Sequence, residues 1–123
     1  MLYFTSDLHL GDEKVLISRS GRPFSNIKEM NNTIIDNINS IVGADDELWI
    51  LGDFAFRVDK VEVQKFRNRI NCRNVHLVYG NHDQDYSQER IFQSVQYYKE
   101  LKTPYGIVVL FHYPIMEWYG ASG

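Results

Sequence analysis

Short apolar runs alternate with polar, helix-like segments along most of the chain. The runs Leu2–Thr5, Leu48–Leu51 and Val75–Tyr79 have the length of buried strands. Two intervening segments instead carry apolar residues at three- and four-residue steps, the spacing of one face of an amphipathic helix. The order strand, helix, strand, helix, strand predicts a layered α/β fold whose early strands are mostly parallel.

Both predicted helices have recognisable starts. Asn26 and Glu29 have the spacing of an N-cap and its capping-box partner, and Asp59 and Glu62 have the same spacing before the second helix. Because four asparagines in the first helix are weak helix formers, tertiary packing should supply much of its stability. The positions spaced for burial are Ile27, Met30, Ile34, Ile38 and Ile41 in the first helix and Val61, Phe66 and Ile70 in the second.

The last third of the chain predicts a hairpin. Val95–Leu101 alternates roughly between apolar and polar residues, and Ile107–Phe111 is an apolar run typical of a buried strand. Between them, Thr103-Pro104-Tyr105-Gly106 has Pro and Gly at the positions that a type I turn favours. We therefore expect residues 95–111 to form two antiparallel strands.

Composition narrows the class of protein. A chain of 123 residues with 44% hydrophobic residues predicts one folded domain spanning 1–123. A net charge of −3 gives no electrostatic reason to expect broad binding to nucleic acid or an anionic membrane. Cys72 is the single cysteine, which favours a reducing compartment. Since the sequence shows neither a signal peptide nor a membrane span, we expect a soluble, cytoplasmic protein.

Polar clusters follow four of the predicted strands. They are Asp7-Leu8-His9, Gly52-Asp53, Gly80-Asn81-His82-Asp83 and His112-Tyr113-Pro114. In open α/β sheets, functional groups gather beyond the carboxyl ends of the strands. If the strands are neighbours in one sheet, the clusters meet at one rim.

The first two clusters offer metal ligands. Asp7 and His9 are two residues apart, so in extended backbone their side chains point the same way. Asp53 has two carboxylate oxygens and can bridge two cations, which a dinuclear site requires. Taken alone, each cluster also has a purely structural explanation. Asp7 and His9 could be a turn aspartate and a partly buried histidine, and Gly52-Asp53 could be a common turn pair.

The third cluster is the most specific. Gly80 allows a tight turn, and Asn81 offers a neutral amide oxygen to a cation. His82, adjacent to Asn81, should point elsewhere and act as a proton donor, while Asp83 would accept from its ring and orient it. The ordinary alternative is a polar hairpin tip.

Two further histidines lie next to or within apolar runs. His112 follows five apolar residues, a depth at which an unpaired polar side chain is costly. Because the other three clusters offer metal ligands, we favour a metal ligand over a hydrogen-bonded core histidine for His112. His76 lies inside Val75–Tyr79, and we interpret it as structural.

The ordered set D-x-H, G-D, G-N-H-[DE], H resembles the calcineurin-like metallophosphoesterases, and the match extends from Asp7 to Pro114. Within that family the chain looks like the small stand-alone bacterial and phage phosphoesterases. It lacks the G-D-x-x-D-R-G and G-N-H-E forms of the protein serine/threonine phosphatases, since Asp53 is followed by Phe54-Ala55-Phe56-Arg57 and His82 by Asp83.

The resemblance implies a four-layer α/β sandwich with two mixed sheets. It also implies two divalent metal ions and hydrolysis of phosphate esters by a metal-bridged hydroxide. The mixed Asp, Asn and His ligand set suits Mn²⁺ (manganese), which is the first choice, with Fe or Zn²⁺ as alternatives. Substrates would be phosphorylated small molecules or nucleotides. The implied roles are Asp7 and His9 for the first metal, Asp53 as the bridge, Asn81 and His112 for the second metal, and His82 as general acid supported by Asp83.

One family motif is missing. A later Gly-His-x-His normally supplies one histidine to each metal, and the sequence contains none. We therefore expect a chain truncated before that motif, with the second sheet incomplete. The alternatives are a site completed in trans, a mononuclear site made by Asp7, His9 and Asp53, or a weak or inactive domain that serves as an interaction or regulatory module.

Self-association is also expected through apolar residues left uncovered, with Val108, Leu110, Ile115, Met116, Trp118 and Tyr119 as candidates.

Overall fold

Helices and strands alternate through the first two thirds of the chain. The structure is a computed structural model, and it describes residues 1–14 and 22–112. Its elements, in chain order, are β1 (Leu2–Thr5), α1 (Ile27–Ile41), β2 (Glu47–Leu51), α2 (Lys60–Arg69), β3 (Asn74–Val78), β4 (Ser94–Gln96), β5 (Lys99–Thr103) and β6 (Gly106–Leu110).

The first four strands form one parallel sheet in the order β1-β2-β3-β4. This confirms the predicted α/β class and the parallel pairing of the early strands. Since neighbouring strands run in the same direction, β1, β2 and β3 all end at one edge of the sheet. The loops that follow these strands are thereby brought together.

Side-chain alternation along β2 defines the layers. Leu48 and Ile50 pack in the larger core with Ile35 of α1 and Val63 of α2. Trp49, between them, lies on the opposite face, in a smaller core with residues of β3 and β6. The described residues therefore form a helical layer, the parallel sheet and the β5–β6 hairpin, which agrees with a sandwich whose second sheet is small.

Both predicted N-cap hydrogen bonds are present, but the side chain of Glu29 does not make its predicted capping-box bond. The side chain of Asn26 accepts a 2.8 Å hydrogen bond from the N–H of Glu29, and Asp59 accepts likewise from Glu62 at 2.9 Å. The carboxylate of Glu29 bonds Ser25 instead of the Asn26 backbone, which lowers the pKa of Glu29. Within the described ranges, no helix has the length and apolar character needed to cross a bilayer.

Two predicted core positions on the helices are wrong. Ile41 and Val61 are each 63% exposed. At the end of α1, Val42 is buried in place of Ile41, because its extended backbone leaves the helix and returns toward the core. On α2, Val63 is the fully buried valine. The helical period was correct, but spacing alone did not fix which residues at the helix ends face the sheet.

The predicted hairpin is shorter than 95–111. Ser94–Gln96 joins the parallel sheet beside β3, and only β5 and β6 pair as a hairpin. The prediction that β6 is a buried strand is also wrong for its first half, since Ile107 is 61% exposed and Val108 38% exposed, whereas Leu110 is buried. Of the apolar residues proposed to lie uncovered, Ile115, Met116, Trp118 and Tyr119 are outside the described residues.

His76 lies in the sheet and away from its polar rim, as the sequence predicted. Its ring stacks on Trp49 with centroids 4.3 Å apart, and Nδ1 lies 2.6 Å from Oγ of Ser94. Burial lowers the pKa of His76, Lys99 lowers it further, and Glu47 opposes the shift. The folded protein therefore favours a neutral ring at this position.

The neutral His76 predicts a dependence of stability on pH. The unfolded chain binds a proton at this residue near the ordinary histidine pKa of about 6.5, whereas the folded chain does so only at lower pH. Its contribution is thus complete above that pKa and is lost as the pH falls below it. Urea denaturation of metal-free protein at several pH values should show a smaller loss of stability on acidification in His76→Gln than in the unsubstituted protein. Equal losses in both would contradict the assignment.

Candidate metal centre

The polar clusters meet at the rim where β1, β2 and β3 end. At the centre lies Oδ2 of Asp53, which is 3.1 Å from Nδ1 of His82, 3.4 Å from Nε2 of His9 and 3.6 Å from Nε2 of His112. The most distant of these residues, His9 and His112, are 103 positions apart in the chain. The parallel sheet and the end of β6 bring them within ligand distance of one another.

Asp53 is a buried carboxylate held in its charged form. The residue is 3% exposed, and burial by itself would raise its pKa. Hydrogen bonds from the backbone N–H and the ring of His82, together with the charges of His112 and His82, outweigh burial and lower the pKa. At neutral pH, Asp53 therefore presents an ionised carboxylate, the form that binds cations.

Asp7 and His9 face the same centre, but not through extended backbone. Their φ angles are 54° and 53°, which lie in the left-handed region. The prediction that extended backbone directs both side chains the same way is therefore wrong. The backbone N–H groups of Asp7 and His9 donate to the carbonyls of Gly52 and Asp53 at 3.0 and 2.9 Å. These bonds align the two loops and leave Nε2 of His9 3.8 Å from Oδ1 of Asp7.

His112 and Asn81 form the other side of the centre. Nδ1 of His112 lies 2.9 Å from the Leu51 carbonyl, and Nε2 lies 3.2 Å from the amide oxygen of Asn81. A Cβ at Gly52 would overlap the His112 ring, and the φ of +87° at this position also favours glycine. The small residue before Asp53 therefore makes room for the histidine.

Asp83 has a different contact from the one predicted. Its carboxylate accepts backbone N–H groups of Asp53, Phe54 and Gly80 at 2.8, 2.9 and 2.8 Å. The predicted hydrogen bond to the ring of His82 is wrong, because those N–H groups occupy the carboxylate and the ring bonds Asp53 instead. Burial raises the pKa of Asp83. The residue joins the loops that follow β2 and β3.

Two residues near the centre were missed by the sequence reasoning. Asp12 is buried, and its Oδ2 lies 2.9 Å from Nδ1 of His9. Phe56 packs edge-on against the ring of His82, with centroids 4.5 Å apart. The only sequence signal for Asp12 is its position three residues after a candidate ligand, and nothing in the pattern marks Phe56.

The ligand atoms suit divalent cations. Among the described residues, two groups have ligand atoms within 4.8 Å of one another: His9, Asp53 and His82, and Asp7, Asp53 and His112. Asp53 belongs to both groups. Carboxylate oxygens with imidazole nitrogens are ligands that Mn²⁺, Fe and Zn²⁺ accept, so these side chains fit a metal centre in which Asp53 is shared.

Comparison with known proteins identifies the relatives of the chain. The sequence model described as calcineurin-like phosphoesterase matches residues 2–121. An uncharacterized protein of Methanocaldococcus jannaschii is 34% identical over 94 residues, which are 75% of this chain and 52% of that protein. The gene 66 protein of Mycobacterium phage L5 is 32% identical over 90 residues, 72% of this chain and 42% of that protein. The chain thus spans about half the length of these curated relatives.

A solved structure has a similar fold. A protein of unknown function from Aquifex aeolicus superposes with a TM-score of 0.76 and 28% sequence identity, covering 93% of this chain and 61% of that one. This chain and the Aquifex aeolicus protein therefore share one fold over most of this chain.

The three hydrogen bonds at Asp83 predict a large effect of Asp83→Asn. An amide has one acceptor oxygen, so at least one buried N–H loses its partner, which costs about 1–3 kcal/mol. Thermal or urea denaturation should show this loss, and the displaced Asp53 should weaken metal binding as well. The control is Asp36→Asn, which makes the same chemical change at an exposed site on α1. Equal stability of the two variants would refute the role of Asp83.

Proposed function

Because the chain belongs to the calcineurin-like phosphoesterase family, we propose that it hydrolyses phosphate esters with two divalent metal ions held at the rim of β1, β2 and β3. The observation that carries the proposal is the position of Asp53. One ionised carboxylate lies within 3.1 to 3.6 Å of three imidazole nitrogens from distant parts of the chain. A buried carboxylate surrounded by imidazoles in this way is suited to cations and is difficult to explain as packing alone.

In the proposed dinuclear arrangement, two sets of side chains share Asp53. Asp7 and His9 would hold one ion, and Asn81 and His112 the other, with Asp53 shared. The distances of 3.8 Å from His9 to Asp7 and 3.2 Å from His112 to Asn81 support this division. Asp7 also lies within ligand distance of Asp53 and His112, so it is close to both sets. When bound, a pair of divalent cations lowers the pKa of a water molecule and stabilises negative charge on the phosphoryl oxygens.

His82 differs from the other two histidines in the nitrogen that it turns toward Asp53. His9 and His112 present Nε2, whereas His82 presents Nδ1. Nε2 of His82 is therefore the nitrogen left to contact a substrate, and the side chain is 37% exposed. We assign His82 the donation of a proton to the departing alkoxide, which contributes about 10²–10⁴-fold in such reactions.

The surroundings of His82 support an anionic substrate. The edge of Phe56 contacts its ring, and the guanidinium of Arg57 lies 5.1 Å from the Phe56 centroid. An aromatic ring against the proton donor, with a positive charge over that aromatic ring, suits a phosphorylated small molecule or a nucleotide. Assays with chromogenic phosphate monoesters and diesters in the presence of Mn²⁺, Fe²⁺ or Zn²⁺ test the proposal directly. Absence of turnover with every combination would refute it.

Substitution of the shared carboxylate tests the dinuclear arrangement. Asp53→Asn should abolish hydrolysis and weaken binding of both ions together, because one side chain serves both. Metal content measured after equilibration with Mn²⁺ should fall for both equivalents, while Asp36→Asn should retain them. Loss of a single equivalent would argue for separate sites.

Substitution of His82 separates proton donation from metal binding. We expect His82→Asn to retain its metal and lose about 10²–10⁴-fold in turnover, with the largest loss for esters of poor leaving groups. His82 also lies within ligand distance of His9 and Asp53, so the competing role is that of a ligand. A variant that binds metal less tightly, with equal losses for good and poor leaving groups, would favour that role.

A further inference from the structure

His9 has a second polar contact on the side of its ring away from Asp53. Oδ2 of Asp12 lies 2.9 Å from Nδ1 of His9, and Oδ1 of Asp12 accepts the backbone N–H of Lys14 at 3.1 Å. Asp12 is only 5% exposed. An ionised carboxylate has no proton to donate, so in this contact Nδ1 must carry the hydrogen.

The other nitrogen of the ring faces the metal centre. Nε2 of His9 lies 3.4 Å from Oδ2 of Asp53 and 3.8 Å from Oδ1 of Asp7. With the hydrogen held on Nδ1, a neutral His9 has its lone pair on Nε2. That arrangement is the one a metal ligand requires.

The turn that carries Asp12 is itself fixed by α1. The side-chain oxygen of Asn31, which is buried on α1, accepts the backbone N–H of Gly11 at 3.0 Å. The N–H of Asp12 closes the turn by donating to the His9 carbonyl at 3.0 Å. Gly11 has a φ of +80°, and a Cβ there would overlap Val58. Asp12 is thereby held against His9 independently of any cation.

We propose that Asp12 is a positioning residue that fixes His9 in the Nδ1–H tautomer and so prepares Nε2 as a ligand. Hydrogen-bonded partners of metal-ligating histidines fix the ring orientation and the tautomer in the same way. His112 obtains the equivalent contact from the Leu51 carbonyl, an uncharged acceptor. The ligand role of His9 rests on the proposed function, whereas its tautomer does not.

The tautomer can be measured on the metal-free protein without any assay of activity. Long-range ¹H–¹⁵N correlation spectra of uniformly labelled protein, recorded above the ordinary histidine pKa of about 6.5, distinguish the two neutral forms. We expect the His9 nitrogens to show the hydrogen on Nδ1. A spectrum with the hydrogen on Nε2 in the unsubstituted protein would overturn the proposal, and this measurement needs no variant to fold.

Three variants test the consequence for metal binding. Asp12→Asn can present an amide N–H to the ring and so favour the wrong tautomer; we expect the hydrogen to move to Nε2 and Zn²⁺ affinity to fall about 10–100-fold. Asp12→Glu retains a carboxylate and should restore much of the affinity and the original tautomer. Glu13→Gln, which removes the same charge from the neighbouring exposed residue, should leave both unchanged.

The outcomes separate this proposal from the proposed function. If Asp12→Asn keeps the Nδ1–H tautomer and its affinity for Zn²⁺, Asp12 does not position His9, whether or not the protein hydrolyses esters. If the tautomer and the affinity change together while no ester is hydrolysed by the unsubstituted protein, Asp12 retains its role and the phosphoesterase proposal fails.

Discussion

The rest of the structure depends on keeping one charged carboxylate, Asp53, in a buried place. Burial opposes its ionisation, and the hydrogen bonds of His82 together with the neighbouring imidazoles overcome that opposition. Asp83 lies close enough for Asp53 to raise its pKa further, so two acidic groups share this small volume. Three backbone N–H groups directed at Asp83 make the arrangement tolerable. The loops after β2 and β3 therefore direct their backbone N–H groups at Asp83.

Backbone conformation at the rim follows the same requirement. Asp7, His9 and Asp53 all have positive φ, which is unfavourable for residues with a Cβ. Hydrogen bonds between the loop after β1 and residues 52–54 hold them there. Glycine at 52 and at 80 gives the space, since a Cβ at Gly80 would overlap Asp53 itself. Strain at these positions is thus linked to the convergence of the side chains.

The histidines show how one residue type acquires different roles. Each role is set by the group that meets Nδ1: the carboxylate of Asp12 for His9, a backbone carbonyl for His112, Asp53 for His82, and a serine hydroxyl for His76. The first two arrangements direct Nε2 toward Asp53, the third directs Nδ1 toward Asp53 instead, and the fourth leaves the ring in the sheet. Chemical identity alone does not distinguish these cases.

The sequence by itself determined the order of the first three strands and two helices, the helix N-caps and the four polar clusters at the rim, because apolar periodicity and strand-end motifs are local properties. Tertiary structure decided that β4 joins the parallel sheet, that Ile41 and Val61 face solvent, and that Asp83 bonds backbone instead of His82. It alone showed Asp12 behind His9. Strand partners, helix rotation and side-chain contacts all depend on groups that are distant in the chain. A local sequence pattern does not specify which of these distant groups meet in the folded protein.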